Sequence, residues 1–391
     1  MPTSQIKPSV IGRSYNVQEA PIQKLLAEVK IPYDVVSLGQ GVPFFGPPTE
    51  AIAAAARGLA DECCYRYTED AGLLSLRRVI ANKLKTENNI SAVPEINIMV
   101  TSGGNQAFIN VLMAITDIGD EVILLAPYYF NHLMALQFTG CKPVLVKTNE
   151  SYQPEPENIF QRFTKKTKAI ITISPNNPTG AVYSKSVLEK INKFCTDQNI
   201  YHISDEAYEN FVFEDTKHFS PGSFDTELLH TISIFSFSKS YSMAGYRVGY
   251  MVYPSVLQNE LLKVQDTIGI CPPGPSQSAG EAALKLGSAY PRKFLPEMVR
   301  VRELIIEKLR TLDILELPVT KGGFYFFIKL KTSKRTWEIA KKLISDFGVI
   351  TIPGEVFGSR TPSLRISYGN LTLEQAEIGV ERLISGLEKL L

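Results

Sequence analysis

The chain has 391 residues, of which 41 are basic and 40 acidic, giving a formal net charge of +1, with 44% apolar and 21% charged side chains. That balance is ordinary for a globular protein and excludes disordered and collagen-like chains. The near-zero charge argues against a general nucleic-acid binder. Cores stop growing at roughly 250–300 residues, so a large domain plus a smaller one is expected.

Residues Met1 to Val10 lack the apolar core of a signal peptide. No stretch reaches the roughly 18 consecutive apolar residues that cross a bilayer. Cys63, Cys64, Cys141, Cys195 and Cys271 are odd in number and form no CxxC. Reduced thiols in a cytoplasmic protein are therefore expected, rather than a disulfide framework or a zinc knuckle. His132, His202, His218 and His230 form no HExxH pattern, and no metal centre is expected.

In chain order, residues 1–48 are rich in Pro and Gly with one helix-like stretch, Ile22 to Val29, and read as an arm. From Thr49 the pattern becomes alternating helices and short apolar runs. Leu73 to Lys85 has helical periodicity; Ile96 to Thr101 reads as a strand, followed by a glycine turn and a helix from Gln106 to Ile115. A strand (Glu121 to Leu125), a helix (Asn131 to Gln137) and a strand (Pro143 to Lys147) follow. Then come an apolar run at Lys168 to Ile173, a helix at Ser184 to Asp197, and further runs at Tyr201 to Ser204, Thr231 to Phe237 and Arg247 to Tyr253. Strands alternating with helices predict an α/β fold with a mostly parallel sheet covered by helices. A long helical stretch is expected near Gln258 to Leu284. Beyond it, Gly323 to Leu330, Val349 to Pro353 and Leu364 to Ser367 read as strands between helices, a small α+β domain. The expected division is 1–48 for the arm, 49–290 for the large domain and 291–391 for the small one.

Ligands of open parallel sheets bind at the carboxyl ends of the strands, and several of these runs end in polar residues. Ser102-Gly103-Gly104-Asn105 is either a tight turn or an anion cradle at a helix N-terminus. Asn176-Asn177-Pro178-Thr179-Gly180 is either a string of turn formers or a loop aiming an amide into a crevice. Asp205 is either a helix cap or a buried carboxylate facing a ligand cation. Lys239 ends the run Phe235-Ser236-Phe237-Ser238 and is either a surface charge or a desolvated nucleophile, with Arg247 eight residues on. Arg365 is either a surface arginine or a bidentate carboxylate clamp.

Taken together, Ser174-Pro-Asn-Asn-Pro-Thr-Gly180, Ser204-Asp-Glu-Ala-Tyr208, Ser236-Phe-Ser-Lys239 and Arg247-Val-Gly249 resemble the class I/II aminotransferases of fold type I, from about Ser37 to Leu391. The resemblance implies pyridoxal 5′-phosphate (PLP) as cofactor, bound by the large domain. Lys239 would form a Schiff base with its aldehyde, and Asp205 would face its pyridine nitrogen. Asn177 and Tyr208 would hydrogen-bond its phenolic oxygen; Tyr129, where many relatives have Trp, would stack on the ring, with His132 behind Asp205. Gly103, Gly104, Asn105, Ser236, Ser238 and Arg247 would hold its phosphate. Arg365 would clamp the substrate carboxylate with help from Gly41 and Asn177. Tyr67 would reach the phosphate in the neighbouring subunit of a homodimer.

The same resemblance implies ping-pong transfer of an amino group to a 2-oxo acid, with Lys239 as the base at Cα. Dicarboxylate-using bacterial relatives commonly carry a lysine directly after the Gly-Gly turn, where this chain has Asn105. An apolar side-chain pocket is expected from Phe44, Phe45, Ile268, Ile270 and Phe324. Aromatic or large neutral donors such as methionine are thus expected. The alternatives are aspartate, or another PLP reaction such as a C–S lyase. No nucleic-acid or membrane partner is expected, and the absence of GxGxxG counts against a nicotinamide enzyme.

Overall fold

Apolar runs of four to seven residues with no polar alternation are the signature of strands buried on both faces, and they build the centre of this molecule. The computed structural model describes residues 12–391, apart from the side chains of Cys63 and Cys64. The expectations for Met1 to Val10 and for those two thiols lie outside the described residues.

Thirteen strands follow in chain order: β1 Val36–Ser37, β2 Ile98–Thr101, β3 Glu121–Ala126, β4 Lys142–Lys147, β5 Thr167–Ile173, β6 Tyr201–Asp205, β7 Thr231–Ser236, β8 Gly249–Val252, β9 Leu315–Glu316, β10 Tyr325–Leu330, β11 Val349–Ile350, β12 Ile352–Pro353 and β13 Ser363–Ser367. Seven of them form one sheet in the order β2-β8-β7-β6-β5-β3-β4. β4, β3, β5, β6 and β7 run parallel, while β8 is antiparallel to both β7 and β2. Alternate side chains leave opposite faces. Met99 packs with Phe108 and Leu112 on one side, whereas Ile98 and Val100 pack with Leu76, Ile80 and Leu84 on the other. β4 closes the edge and alternates, burying Val144 and Val146 and turning Lys142 and Lys147 to solvent, which guards the open edge against pairing with another chain.

A second sheet, β12-β13-β10-β9, is antiparallel throughout. Its helices bury apolar positions at helical spacing: Val301, Ile305 and Leu309 on Leu295–Leu309; Ile339 and Leu343 on Thr336–Phe347; Ala376, Val380, Leu383 and Leu387 on Leu373–Leu390. Thr372 and Gln375 form a reciprocal capping box that starts the last of these. One apolar cluster runs unbroken from Ile123 and Ile170 in the large sheet to Phe326, Ile328 and Leu364 in the small one. Among the described residues no helix is long and apolar enough to cross a membrane.

Three expectations change. The stretch Gln258 to Leu284 is two helices, Gln258–Gly269 and Gly274–Leu284. Ile270 adopts φ +59° between them, and Pro272 and Pro273 offer no N–H to continue the first helix. Val349 to Pro353 is not one strand: β11 pairs with β1 and β12 pairs with β13, with Thr351 switching between them. β1 itself was not anticipated, because two residues are too few for any periodicity.

Candidate active site

The carboxyl ends of β2, β5, β6 and β7 open on one cavity of about 250 Å³. It is lined by Gly41, Gly104, Asn105, Tyr129, Asn177, Asp205, Tyr208, Ser236, Ser238, Lys239, Arg247 and Arg365, all anticipated from sequence. Gly103 stands immediately behind Arg247. Tyr67 does not reach the cavity of its own chain; it is 78% exposed.

At one end, β2 turns through Ser102, Gly103 and Gly104 into the helix Gly104–Ile115, whose first-turn N–H groups have no partner within the helix. Gly103 has φ +89°, and an added Cβ would stand 2.5 Å from Arg247 Nη2, so both conformation and space require glycine. Arg247 follows a short 3₁₀ turn and donates from Nη1 to the Ala244 carbonyl (2.9 Å) and from Nη2 to the Ser102 carbonyl (3.2 Å). Ser236 caps the short helix Phe237–Ser240, its Oγ accepting from the Ser238 N–H. The result is a concave group of donors around one cation.

Asp205 ends β6. Its Oδ1 accepts from the Ala207 N–H (3.1 Å), and His132 Nε2 lies 3.1 Å from Oδ2. His132 is buried and stacks on Phe108 with ring centres 4.0 Å apart, which holds Asp205 from behind. Burial pushes the Tyr129 phenol up, with Asp205 adding to it.

Lys239 is carried by Phe237–Ser240, and its Nζ donates to the Gly41 carbonyl at 2.6 Å. Burial, then the cations Arg365 and Arg247, bring its pKa down from 10.5 to about 8, against the opposing pull of Asp205. Arg365 sits on β13 at 2% exposure. It donates to Asn177 Oδ1 (2.9 Å) and to the Gly39 carbonyl (2.6 Å), and its guanidinium lies over the Tyr325 and Phe357 rings at 4.8 and 5.0 Å. Its Nε has no hydrogen-bond partner, and among the described residues no carboxylate pairs with it. A buried, uncompensated guanidinium is costly to hold, and an incoming carboxylate relieves that cost.

The side-chain pocket expected from Phe44, Phe45, Ile268, Ile270 and Phe324 is not found: none lines the cavity. Phe45 stacks on Phe294 at 4.0 Å, with Phe44 edge-on to the same ring. Phe324 is fully buried between Tyr208 and Phe211. Ile268 lies on an exposed helix face, 50% accessible, and Ile270 in the helix break. Their places are taken by Ile22, Phe130 and Tyr325, which sequence reasoning missed. Ile22 sits in an arm with no strand or motif to point at it. Phe130 and Tyr325 lie in aromatic runs that read equally well as core.

The sequence matches the family described as aminotransferase class I and II over residues 33–383. It is 34% identical over 381 residues to the aromatic aminotransferase ISS1 of Arabidopsis thaliana, covering 95% of this chain and 94% of that one. It is 35% identical over 375 residues to an aspartate aminotransferase of Pyrococcus abyssi, covering 94% and 95%. Among solved structures, a Thermus thermophilus aspartate aminotransferase single mutant superposes with a TM-score of 0.87 at 32% identity, covering 96% of this chain and 99% of that one. An aromatic aminotransferase from Pyrococcus horikoshii gives 0.85 at 34% identity, covering 94% and 99%. With cradle, carboxylate, lysine and buried arginine arranged around one cavity, and with these relatives matched along nearly its whole length, the chain belongs to the class I and II aminotransferases.

Proposed function

We propose that this enzyme transfers the amino group of an aromatic or large neutral L-amino acid to a 2-oxo acid, with PLP held in the cavity described above. The residues present fit that cofactor: a donor-rich cradle with Arg247 suits a phosphate, Asp205 suits a ring nitrogen that must stay protonated, and Lys239 lines the same cavity. When bound, PLP supplies an electron sink for the bond broken at the substrate Cα.

The chain's own residues do the rest. The turn amides, Ser236, Ser238 and Arg247 hold the phosphate, and Tyr129 covers one face of the ring. His132 orients Asp205, whose charge keeps the ring nitrogen protonated. Asn177 and Tyr208 address the ring's phenolic oxygen. Arg365, steered by Asn177, receives the substrate α-carboxylate in a fork of two donors, with the backbone at Gly41 beside it. The low pKa of Lys239 leaves a substantial neutral fraction near neutrality, as a carbonyl nucleophile and a proton carrier at Cα both require. Arm and small sheet are proposed to move together and exclude water. β1 pairs with β11, the Leu38 carbonyl accepts from the Ser367 N–H (2.6 Å), and Arg382 Nη2 pairs with Asp34 Oδ2 (2.6 Å). A homodimer in which Tyr67 completes the neighbouring site accounts for that tyrosine's exposure.

The observation that carries the substrate reading is the cavity wall. Among the described residues its charged side chains are Asp205, Lys239, Arg247 and Arg365, and beyond the phosphate and α-carboxylate cations none of these offers a further positive charge to a distal carboxylate. Ile22, Phe130 and Tyr129 offer apolar contact instead. Aspartate as donor is the second reading, favoured by the relatives named aspartate aminotransferases. The test is the visible absorption of the PLP-loaded protein mixed with phenylalanine, methionine or aspartate. Loss of the band with phenylalanine, and its return with a 2-oxo acid, is the expected result. A response to aspartate alone would overturn the substrate reading and leave the transaminase intact.

A further inference from the structure

Tyr325, the first residue of β10, is 1% exposed, and its hydroxyl lies 2.6 Å from that of Tyr208. Its ring lies 4.8 Å from the Arg365 guanidinium. A Cβ on Gly41 would overlap the Tyr325 hydroxyl, so the missing side chain there is what lets Tyr325 reach Tyr208. The other charged and titratable groups facing the pair are Lys239, 6.0 Å from the Tyr208 ring centre, and Tyr129. Two phenols sharing one hydrogen bond must divide roles: one donates, and the other keeps its proton for a different acceptor.

The surroundings decide the direction. Burial raises both phenols, but the Arg365 guanidinium lies 4.8 Å from the Tyr325 ring centre, and a cation held against that ring makes its phenol the readier donor. The stronger acid is the better donor, so Tyr325 donates to the Tyr208 oxygen. Asn177 Nδ2, 3.5 Å away, approaches that oxygen as a second donor. The Tyr208 hydrogen is then left to point into the cavity.

We propose that Tyr325 is a positioning residue: it fixes the Tyr208 hydroxyl as a hydrogen-bond donor aimed at the cofactor ring. The proposal rests on the PLP reading above. A hydroxyl that accepts a hydrogen bond also donates more strongly. Losing Tyr325's bond therefore weakens the Tyr208 donor, raises the proton affinity of the ring's phenolic oxygen, and moves the visible absorption titration to higher pH.

The experiment compares wild type, Tyr325→Phe, Tyr208→Phe and the double variant, each loaded with PLP, by absorption from pH 5 to 10. The dissociation of PLP and the melting temperature of the cofactor-free protein are measured alongside. Tyr325→Phe is expected to raise the midpoint by about 0.3–1 unit, less than Tyr208→Phe does. The double variant is expected to match Tyr208→Phe alone, since Tyr325 acts only through it. Should Tyr325→Phe fail to fold, Gly41→Ala, which displaces the same hydroxyl, is expected to move the midpoint in the same direction. An unchanged midpoint in Tyr325→Phe beside a moved one in Tyr208→Phe, or additive shifts in the double variant, would overturn the inference and leave the cofactor reading standing. No titrating band in the wild type would overturn both.

Discussion

Lys239 sets up a test that needs neither cofactor nor substrate. Its pKa is 10.5 in an unfolded chain and about 8 in the fold. A base held below its unfolded value binds protons less tightly in the folded state, so folding carries a penalty wherever the lysine must be charged. That penalty is fully present below pH 8, shrinks as pH rises from 8 to 10.5, and is gone above. The gap between 10.5 and about 8 corresponds to about 3 kcal/mol. Lys239→Met removes the penalty and also the hydrogen bond to Gly41, which is worth about 1 kcal/mol. The cofactor-free variant is therefore expected to be about 2 kcal/mol more stable than wild type at pH 7, and to lose that advantage towards pH 10.5. Unfolding 391 residues carries enough entropy that 1 kcal/mol moves the midpoint by about 1 °C, so the difference between the two melting temperatures swings by about 3–4 °C across this range. Scanning calorimetry of both proteins at matched salt from pH 7 to 10.5 reads it directly. Melting temperatures that stay parallel throughout would refute the reasoning, because Lys239 would then ionise as an exposed lysine does.

Arg365→Met removes two charge-assisted hydrogen bonds to a substrate carboxylate, and the half-reaction with phenylalanine is expected to slow by about 10²–10⁴-fold. A primary amine lacking a carboxylate is expected to lose far less, and an equal loss with both would show that Arg365 does not read the carboxylate. Leu383→Ala, at a fully buried position of the last helix within the main apolar cluster, is expected to cost about 2–5 kcal/mol by denaturant titration, with a smaller loss marking a site that collapses around the cavity. Mixing inactive Lys239→Ala chains with Tyr67→Ala chains is expected to recover activity, since one site of each hybrid dimer carries neither change; absence of recovery would place Tyr67 outside the partner's site.

The sequence by itself determined most of the polar side chains that line the cavity. Lys239, Asp205, Asn177 and the Gly103-Gly104 turn could be found because each follows a short apolar run, and an open parallel sheet gathers the ends of such runs at one edge. The alternation of strands and helices determined the large sheet for a similar reason: both signals are local, repeated within ten residues or so. Only the tertiary structure decided what those groups touch. Lys239 meets Gly41 across 198 residues, Arg365 meets Asn177 across 188, and Tyr208 meets Tyr325 across 117. Tyr325 lies in Gly323-Phe-Tyr-Phe-Phe327, where a core ring and a ring with a working hydroxyl look alike until a partner oxygen is placed 2.6 Å away. The apolar wall was misassigned for the same reason. Phe44, Phe45 and Phe324 are as hydrophobic as Ile22 and Phe130, and burial alone does not say whether a side chain faces another ring or an open cavity. The switch at Thr351, which sends β11 to one sheet and β12 to another, was hidden because a five-residue apolar stretch does not reveal its partners. Pairing is a property of two segments, and the second lies hundreds of residues away along the chain for β1 and β11.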